Sequence, residues 1–208
     1  MTETVHVKIC GITRPEDALA AEEAGADMIG FVFADSPRRV TPATAASIVT
    51  QLKRAKAVGV FDQDDVANIR GIVGDVGLSF IQLHKIETAV TPSDFGVPVF
   101  KAVKGNHPLS ADDEEIVRWD YVLVDASANG RFGGTGRAFD WANAMALSNR
   151  GKPRLIVAGG LTPDTVADAV RALNPWAVDV SSGVEAAPGV KDRARVAAFI
   201  RNAKEARR

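Results

Sequence analysis

The chain has a single cysteine, Cys10, in 208 residues. A disulfide within one chain is therefore impossible, and a cysteine-based zinc cluster is excluded with it. A lone thiol fits a reducing compartment. Charge of one sign is lacking too: 25 basic and 26 acidic residues leave a formal net charge of -1. That balance offers no basic footprint for nucleic acid. No apolar run approaches the ~20 residues that span a bilayer. Glu3, His6 and Lys8 interrupt the stretch from Met1 to Cys10, so no secretory segment and no membrane association are expected. There is no low-complexity tract, no linker and no Gly-x-Gly-x-x-Gly turn after the first apolar run. What remains is ordinary for a globular protein, 46% apolar and 25% charged, with enough apolar matter for a core. The expectation is one cytoplasmic domain spanning 1–208.

Short runs rich in Val, Ile and Phe recur along the whole length. They are Val5–Cys10, Met28–Phe33, Ala57–Phe61, Phe80–His84, Pro98–Val103, Tyr121–Ala126, Arg154–Gly160 and Ala177–Gly183. Most do not alternate strictly with polar residues, the pattern of strands buried on both faces of a parallel sheet. Helix-like stretches lie between them. Pro15–Ala24 starts on proline and acids and stops before Gly25. Thr41-Pro42 opens another, Thr162-Pro163-Asp164 repeats that signature before Thr165–Leu173, and Asp192–Ala206 carries Val196, Phe199 and Ile200 on one face. Eight units share the chain at about 26 residues each, roughly a mean strand, a mean helix and two short connections. The predicted fold is α/β, a single (β/α)8 barrel of minimal length. The fourth unit is the weakest, because Thr91-Pro92 leaves room for only a short or irregular helix. The alternative is an open doubly wound sheet, which the missing glycine-rich turn disfavours.

Sites of such barrels form at the C-terminal ends of the strands. That rule selects Cys10, the loop after Phe33, Asp62, His84, Lys101 or Lys104, Asp125, Gly159-Gly160 and Ser181-Ser182-Gly183. Cys10 reads as a base or nucleophile whose pKa nearby positive charge lowers, or else as a small buried hydrophobe. Asp125 closes a strongly apolar strand and needs a partner or a role, since burying an unpaired charge is costly. Glycine and serine at the ends of strands seven and eight let backbone N–H groups approach an anion, so a phosphate site is expected there. Arg38, after the second strand, offers a guanidinium to an anionic substrate. Asn129–Gly136 reads as a lid over the substrate or as a solvated loop. His84 reads as a structural histidine, and His6 and His107 show no metal-ligand spacing.

Taken together, Lys8–Thr13 (KICGIT), Gly30–Phe33 (GFVF), Ser36-Pro37-Arg38, Gln82-Leu83-His84, Gly133–Gly136 (GGTG) with Phe139-Asp140-Trp141, Ala158–Leu161 (AGGL) and Val178–Glu185 (VDVSSGVE) resemble phosphoribosylanthranilate isomerase. The motifs stand in the family's order from Lys8 to about Asp192. The resemblance implies a barrel of the ribulose-phosphate-binding type. It implies an Amadori rearrangement of N-(5-phosphoribosyl)anthranilate to the 1-deoxyribulose phosphate in tryptophan biosynthesis.

By that resemblance Cys10 is the general base and Asp125 the general acid. Arg38 holds the anthranilate carboxylate. Gly159, Gly160, Ser181, Ser182 and Gly183 hold the phosphate, and Asp179 lies near the sugar. No metal and no cofactor are implied, because the substrate's own amine is the electron sink. The partner is that small phosphorylated substrate; monomer and homodimer both stay open. Lys85 stands where the family pattern has glycine, and Ala126–Asn129 also departs from it.

Three other readings compete. The related histidine-pathway isomerase uses an aspartate where this chain has Cys10. Indole-glycerol-phosphate synthase needs a catalytic lysine, for which Lys101 or Lys104 would have to serve. A non-catalytic phosphate-sugar binder would have no use for both Cys10 and Asp125.

Overall fold

Eight strands follow one another around a closed parallel barrel, each hydrogen-bonded to the next and the last to the first. They are β1 (His6–Cys10), β2 (Met28–Val32), β3 (Lys56–Phe61), β4 (Phe80–Leu83), β5 (Val99–Lys104), β6 (Tyr121–Asp125), β7 (Arg154–Ala158) and β8 (Ala177–Val180). The structure is a computed structural model that describes residues 4–62, 65–84, 90–104, 114–125 and 153–206. The predicted lid Asn129–Gly136, the Phe139-Asp140-Trp141 motif, His107 and the departures at Lys85 and Ala126–Asn129 lie outside the described residues.

The helices are α1 (Pro15–Glu23), α2 (Pro42–Val49), α3 (Val66–Val76), α4 (Glu114–Val117), α5 (Val166–Leu173) and α6 (Arg193–Glu205). Their ends follow local chemistry. Thr41 accepts from the Thr44 N–H and Pro42 sits in the first turn of α2. Asp65 accepts from Asn68 N–H at the start of α3, a helix the apolar-run pattern did not single out. Asp192 accepts from Ala194 and Arg195 before α6. The start of α5 differs from expectation. Thr162–Thr165 forms a turn in which Thr162 N–H donates to Thr165 Oγ1, and the helix begins at Val166. Among its described residues the fourth unit carries the 3-10 turn Pro92–Phe95, as the Thr91-Pro92 pair predicts.

Strand alternation splits the apolar side chains into two populations. One set, including Ile9, Ile29, Phe31, Ile81, Val122, Val157 and Val178, packs outward with helix residues such as Ile48, Ile69, Val170 and Phe199. The other fills the barrel, with Met28, Val58, Phe100, Leu123, Ile156 and Ala177 packed together against Phe80, Tyr121 and Trp176. Phe80, Phe100, Tyr121 and Trp176 touch ring to ring and close the end away from the strand C-termini. A smaller cluster of Cys10, Val32 and Val60 lies toward the other end.

After β8 the chain makes a 3-10 turn (Ser182–Val184) and an antiparallel hairpin, β9 (Glu185–Ala187) with β10 (Val190–Lys191). This hairpin was not anticipated. It brings Glu185 and Lys191 to the barrel mouth.

Candidate active site

The mouth holds a cavity of about 410 Å³. All nine candidate residues line it: Cys10 from β1, Arg38 after β2, Asp125 from β6, Gly159 and Gly160 after β7, Asp179 from β8, and Ser181, Ser182 and Gly183 beyond it. Asp62 and His84 line it as well; Lys101 and Lys104 do not. Among the described residues no group of His, Cys, Asp and Glu could hold a metal ion.

Close approach of backbones shapes the phosphate side. Gly159 and Gly160 adopt φ of 86° and 69°, conformations that favour glycine. A Cβ at Gly183 would collide with the Leu161 carbonyl, so the β8 loop lies directly on the β7 loop. Ser181 Oγ is buried without a hydrogen-bond partner among the described residues. A buried hydroxyl left unpaired is costly, and an oxyanion in the cavity would satisfy it.

Arg38 is fixed on two sides. Its stem passes over Gly11, where a Cβ would stand 2.6 Å from Arg38 Cδ. Its guanidinium forks onto Glu185, with Nε to Oε1 at 2.7 Å and Nη2 to Oε2 at 2.6 Å. Lys191 Nζ donates to the same carboxylate at 2.9 Å, and Lys191 N–H is anchored on Asp17 at 3.0 Å. Burial alone would raise the Glu185 pKa, but hydrogen bonds from Arg38 and Lys191 outweigh it and hold it at about 2. Two cations share one buried carboxylate here, and Arg38 is the member of the cluster that lines the cavity.

Beneath Cys10 lies a polar cluster in which Asp179 and His84 are joined by Lys8 and Gln82, residues to which the sequence assigns no role. Lys8 is fully buried. Its Nζ donates to Gln82 Oε1 at 2.8 Å and to Asp179 Oδ1 at 3.0 Å. Cys10 stands two residues along β1, on the same side of the strand. Burial works against the ammonium, yet Asp179 and Cys10 together raise the Lys8 pKa. Gln82 continues the chain to His84 Nε2 at 3.0 Å. Burial and the Lys8 charge lower the His84 pKa.

One electrostatic expectation is corrected. Positive charge was expected to lower the Cys10 pKa, but the thiol is raised, because its desolvation outweighs the Lys8 charge.

The chain matches the family model for N-(5'phosphoribosyl)anthranilate (PRA) isomerase over residues 7–202. It is 46% identical over 204 residues to the N-(5'-phosphoribosyl)anthranilate isomerase of Trichlorobacter lovleyi, covering 97% of this chain and 99% of that one. Among solved structures, phosphoribosyl anthranilate isomerase from Thermotoga maritima superposes with a TM-score of 0.81 at 36% identity, over 97% of this chain and 99% of that one. A phosphoribosyl anthranilate isomerase in complex with reduced 1-(o-carboxyphenylamino)-1-deoxyribulose 5-phosphate matches with a TM-score of 0.79 at 35% identity, over the same shares of both chains.

Proposed function

Because the chain belongs to the phosphoribosylanthranilate isomerase family, we propose that Cys10 is the general base and Asp125 the general acid of its Amadori rearrangement. The protein is an isomerase of the aldose–ketose type in tryptophan biosynthesis. The observation that carries the assignment is the shared cavity. Cys10 on β1 and Asp125 on β6 face one space, with β7 and β8 between them around the ring. A substrate held there meets a proton donor and a proton acceptor from separate strands.

The substrate is N-(5-phosphoribosyl)anthranilate, whose reduced product a solved relative binds. Its phosphate lies against Gly159, Gly160, Ser181, Ser182 and Gly183, with the unpaired Ser181 hydroxyl as one donor. Its anthranilate carboxylate meets Arg38, whose Nη1 is not used by Glu185. These remote contacts fix the ribose so that the reacting carbon lies beside sulfur. Asp125 gives its proton to the furanose ring oxygen as the C1′–O bond breaks and the amine lone pair forms the iminium. Cys10 thiolate then takes the C2′ proton, and its electrons neutralise the iminium to give the enolamine. Proton transfer from the 2′-hydroxyl to C1′ completes the ketone. The iminium adds positive charge beside the sulfur and so favours the thiolate when it is needed. No cofactor enters the sequence. The working unit is the single barrel of 1–208 in the cytoplasm, as monomer or homodimer, with no nucleic acid or membrane partner.

Cys10→Ala and Asp125→Ala should each lower kcat by 10²-fold or more, roughly the worth of a positioned acid or base. Both should keep the wild-type circular dichroism spectrum. Turnover is read from the decay of phosphoribosylanthranilate fluorescence, with the substrate generated in situ and the product drawn off by the next enzyme. Near-wild-type rates in both variants would sink the assignment. Binding of the phosphate sugar without turnover by the wild type would favour a non-catalytic barrel.

A further inference from the structure

We propose that Lys8 is the positioning residue of Cys10: clamped by Gln82 and Asp179 beneath the cavity floor, its ammonium holds the sulfur in place as counter-ion of the thiolate. Lys8 and Cys10 are two apart on β1, so both point into the barrel. Lys8 is fully buried and is not among the residues lining the cavity. Substrate in the cavity meets Cys10 and not Lys8, so whatever Lys8 does, it does through its neighbours.

Two strands hold the ammonium. Asp179 is the ladder partner of Lys8 across β1 and β8. Gln82 stands on β4, beyond β2 and β3. The lysine stem reaches it past Gly30 on β2, where a Cβ would press on Lys8 Cε at 3.1 Å and on Cys10 Sγ at 2.9 Å. Gln82 has its own orientation fixed by His84. A neutral His84 ring accepts from the amide Nε2, which commits Oε1 to Lys8.

The groups that face Cys10 are Lys8 from β1, Asp179 from β8, Lys191 from β10 and Arg38 from the segment after β2. Arg38 and Lys191 are both engaged by Glu185. Of the three cations, Lys8 is the one on the sulfur's own strand, two residues away, and its stem and the sulfur share the space beside Gly30. A buried ion pair is poor evidence for stability, since apolar residues of similar volume often serve a core as well or better. A lysine in the middle of a barrel therefore asks for another purpose, and the sulfur beside it supplies one.

The proposal rests on Cys10 as the base, so thiolate formation is measured first, without substrate. Cys10 is the chain's one cysteine, so the ultraviolet absorbance of the thiolate reports on it alone, with Cys10→Ser as the blank. In Lys8→Met and Lys8→Gln the thiol should titrate at higher pH, with about tenfold less thiolate at a given pH. Activity should fall in kcat more than it rises in KM, and the lost kcat should return as the pH is raised. Titration unchanged from wild type in both variants would overturn the proposal. A shifted titration that the kcat profile does not follow would leave Lys8's part standing and sink Cys10 as base instead. If neither variant folds, the wild type decides. The Lys8 ammonium resonance should move with the Cys10 titration and stay still over that range in Cys10→Ser; a wild-type resonance indifferent to the thiol would overturn the proposal.

Discussion

Gly30 is opposite Cys10 in the β1–β2 ladder, and the space a side chain would fill there is occupied by the Cys10 sulfur. Gly30→Ala would place a Cβ 2.9 Å from Cys10 Sγ and 3.0 Å from Cys10 Cα. One of the two must shift. The side-chain sulfur is the softer of them; if Cys10 is the proposed base, kcat should fall about 10- to 100-fold, the scale of an ångström's misplacement. Steady-state kinetics beside thermal melts tests this; a melting loss with unchanged kcat would contradict it. That the nine candidate residues meet in one cavity was legible in the sequence, because strand ends and familiar motifs mark them. Lys8, Gln82, Glu185 and Lys191 were written in the same motifs or near them, but their pairing runs across the barrel, where spacing carries no signal. One sign was available for Lys8. It is a charge inside an apolar run with the same strand parity as Cys10, and a buried charge demands partners. The direction of the Cys10 pKa was not legible, because burial enters only with the fold.

Strands that are apolar on both faces announce themselves, and the eight runs became the eight strands with ends differing by a few residues. Helix starts were legible where a side-chain cap stands at the right place, as at Thr41 and Asp192. At Thr162 the same residue types close a turn first, because Thr165 Oγ1 competes for the Thr162 N–H. The hairpin β9–β10 was missed because its strands are very short and its stability comes from outside it. Thr13 donates to the Gly189 carbonyl at 2.6 Å and Arg195 to the Glu185 carbonyl at 3.0 Å. Structural duties concentrate at the opposite end of the strands from the cavity. Phe100 is fully buried there against Phe80, Tyr121 and Trp176. Phe100→Ala should destabilise the protein by about 3–5 kcal/mol, the usual range for a buried phenylalanine. KM should hold below the melting temperature, which denaturant unfolding and kinetics together would check.

The molecule as a whole answers acid through carboxylates whose folded pKa lies below the unfolded value. Glu185 is held at about 2, against burial, by Arg38 and Lys191. Glu22 is lowered too: burial opposes this, but backbone N–H groups of Ala55, Arg54 and Lys53 outweigh it. In such cases the unfolded chain takes up the proton first. The stability these groups contribute is present above the ordinary carboxylate pKa and is lost as pH falls through the folded one. Urea midpoints should therefore drop from about pH 4.5 toward pH 2, and Glu185→Gln should flatten that slope; an unaltered slope would mean that other carboxylates govern it. The closure of the barrel has a further consequence in time. Lys8 and Asp179 are register partners where the first strand meets the last, so a ribosome has made most of the chain before the lysine's counter-charge exists. Until β8 emerges, a nascent barrel would have to dry an ammonium with no anion beside it, which keeps that seam wet and open. Competence for chemistry and completion of synthesis are thereby joined: the thiol acquires its surroundings only when the ring is whole.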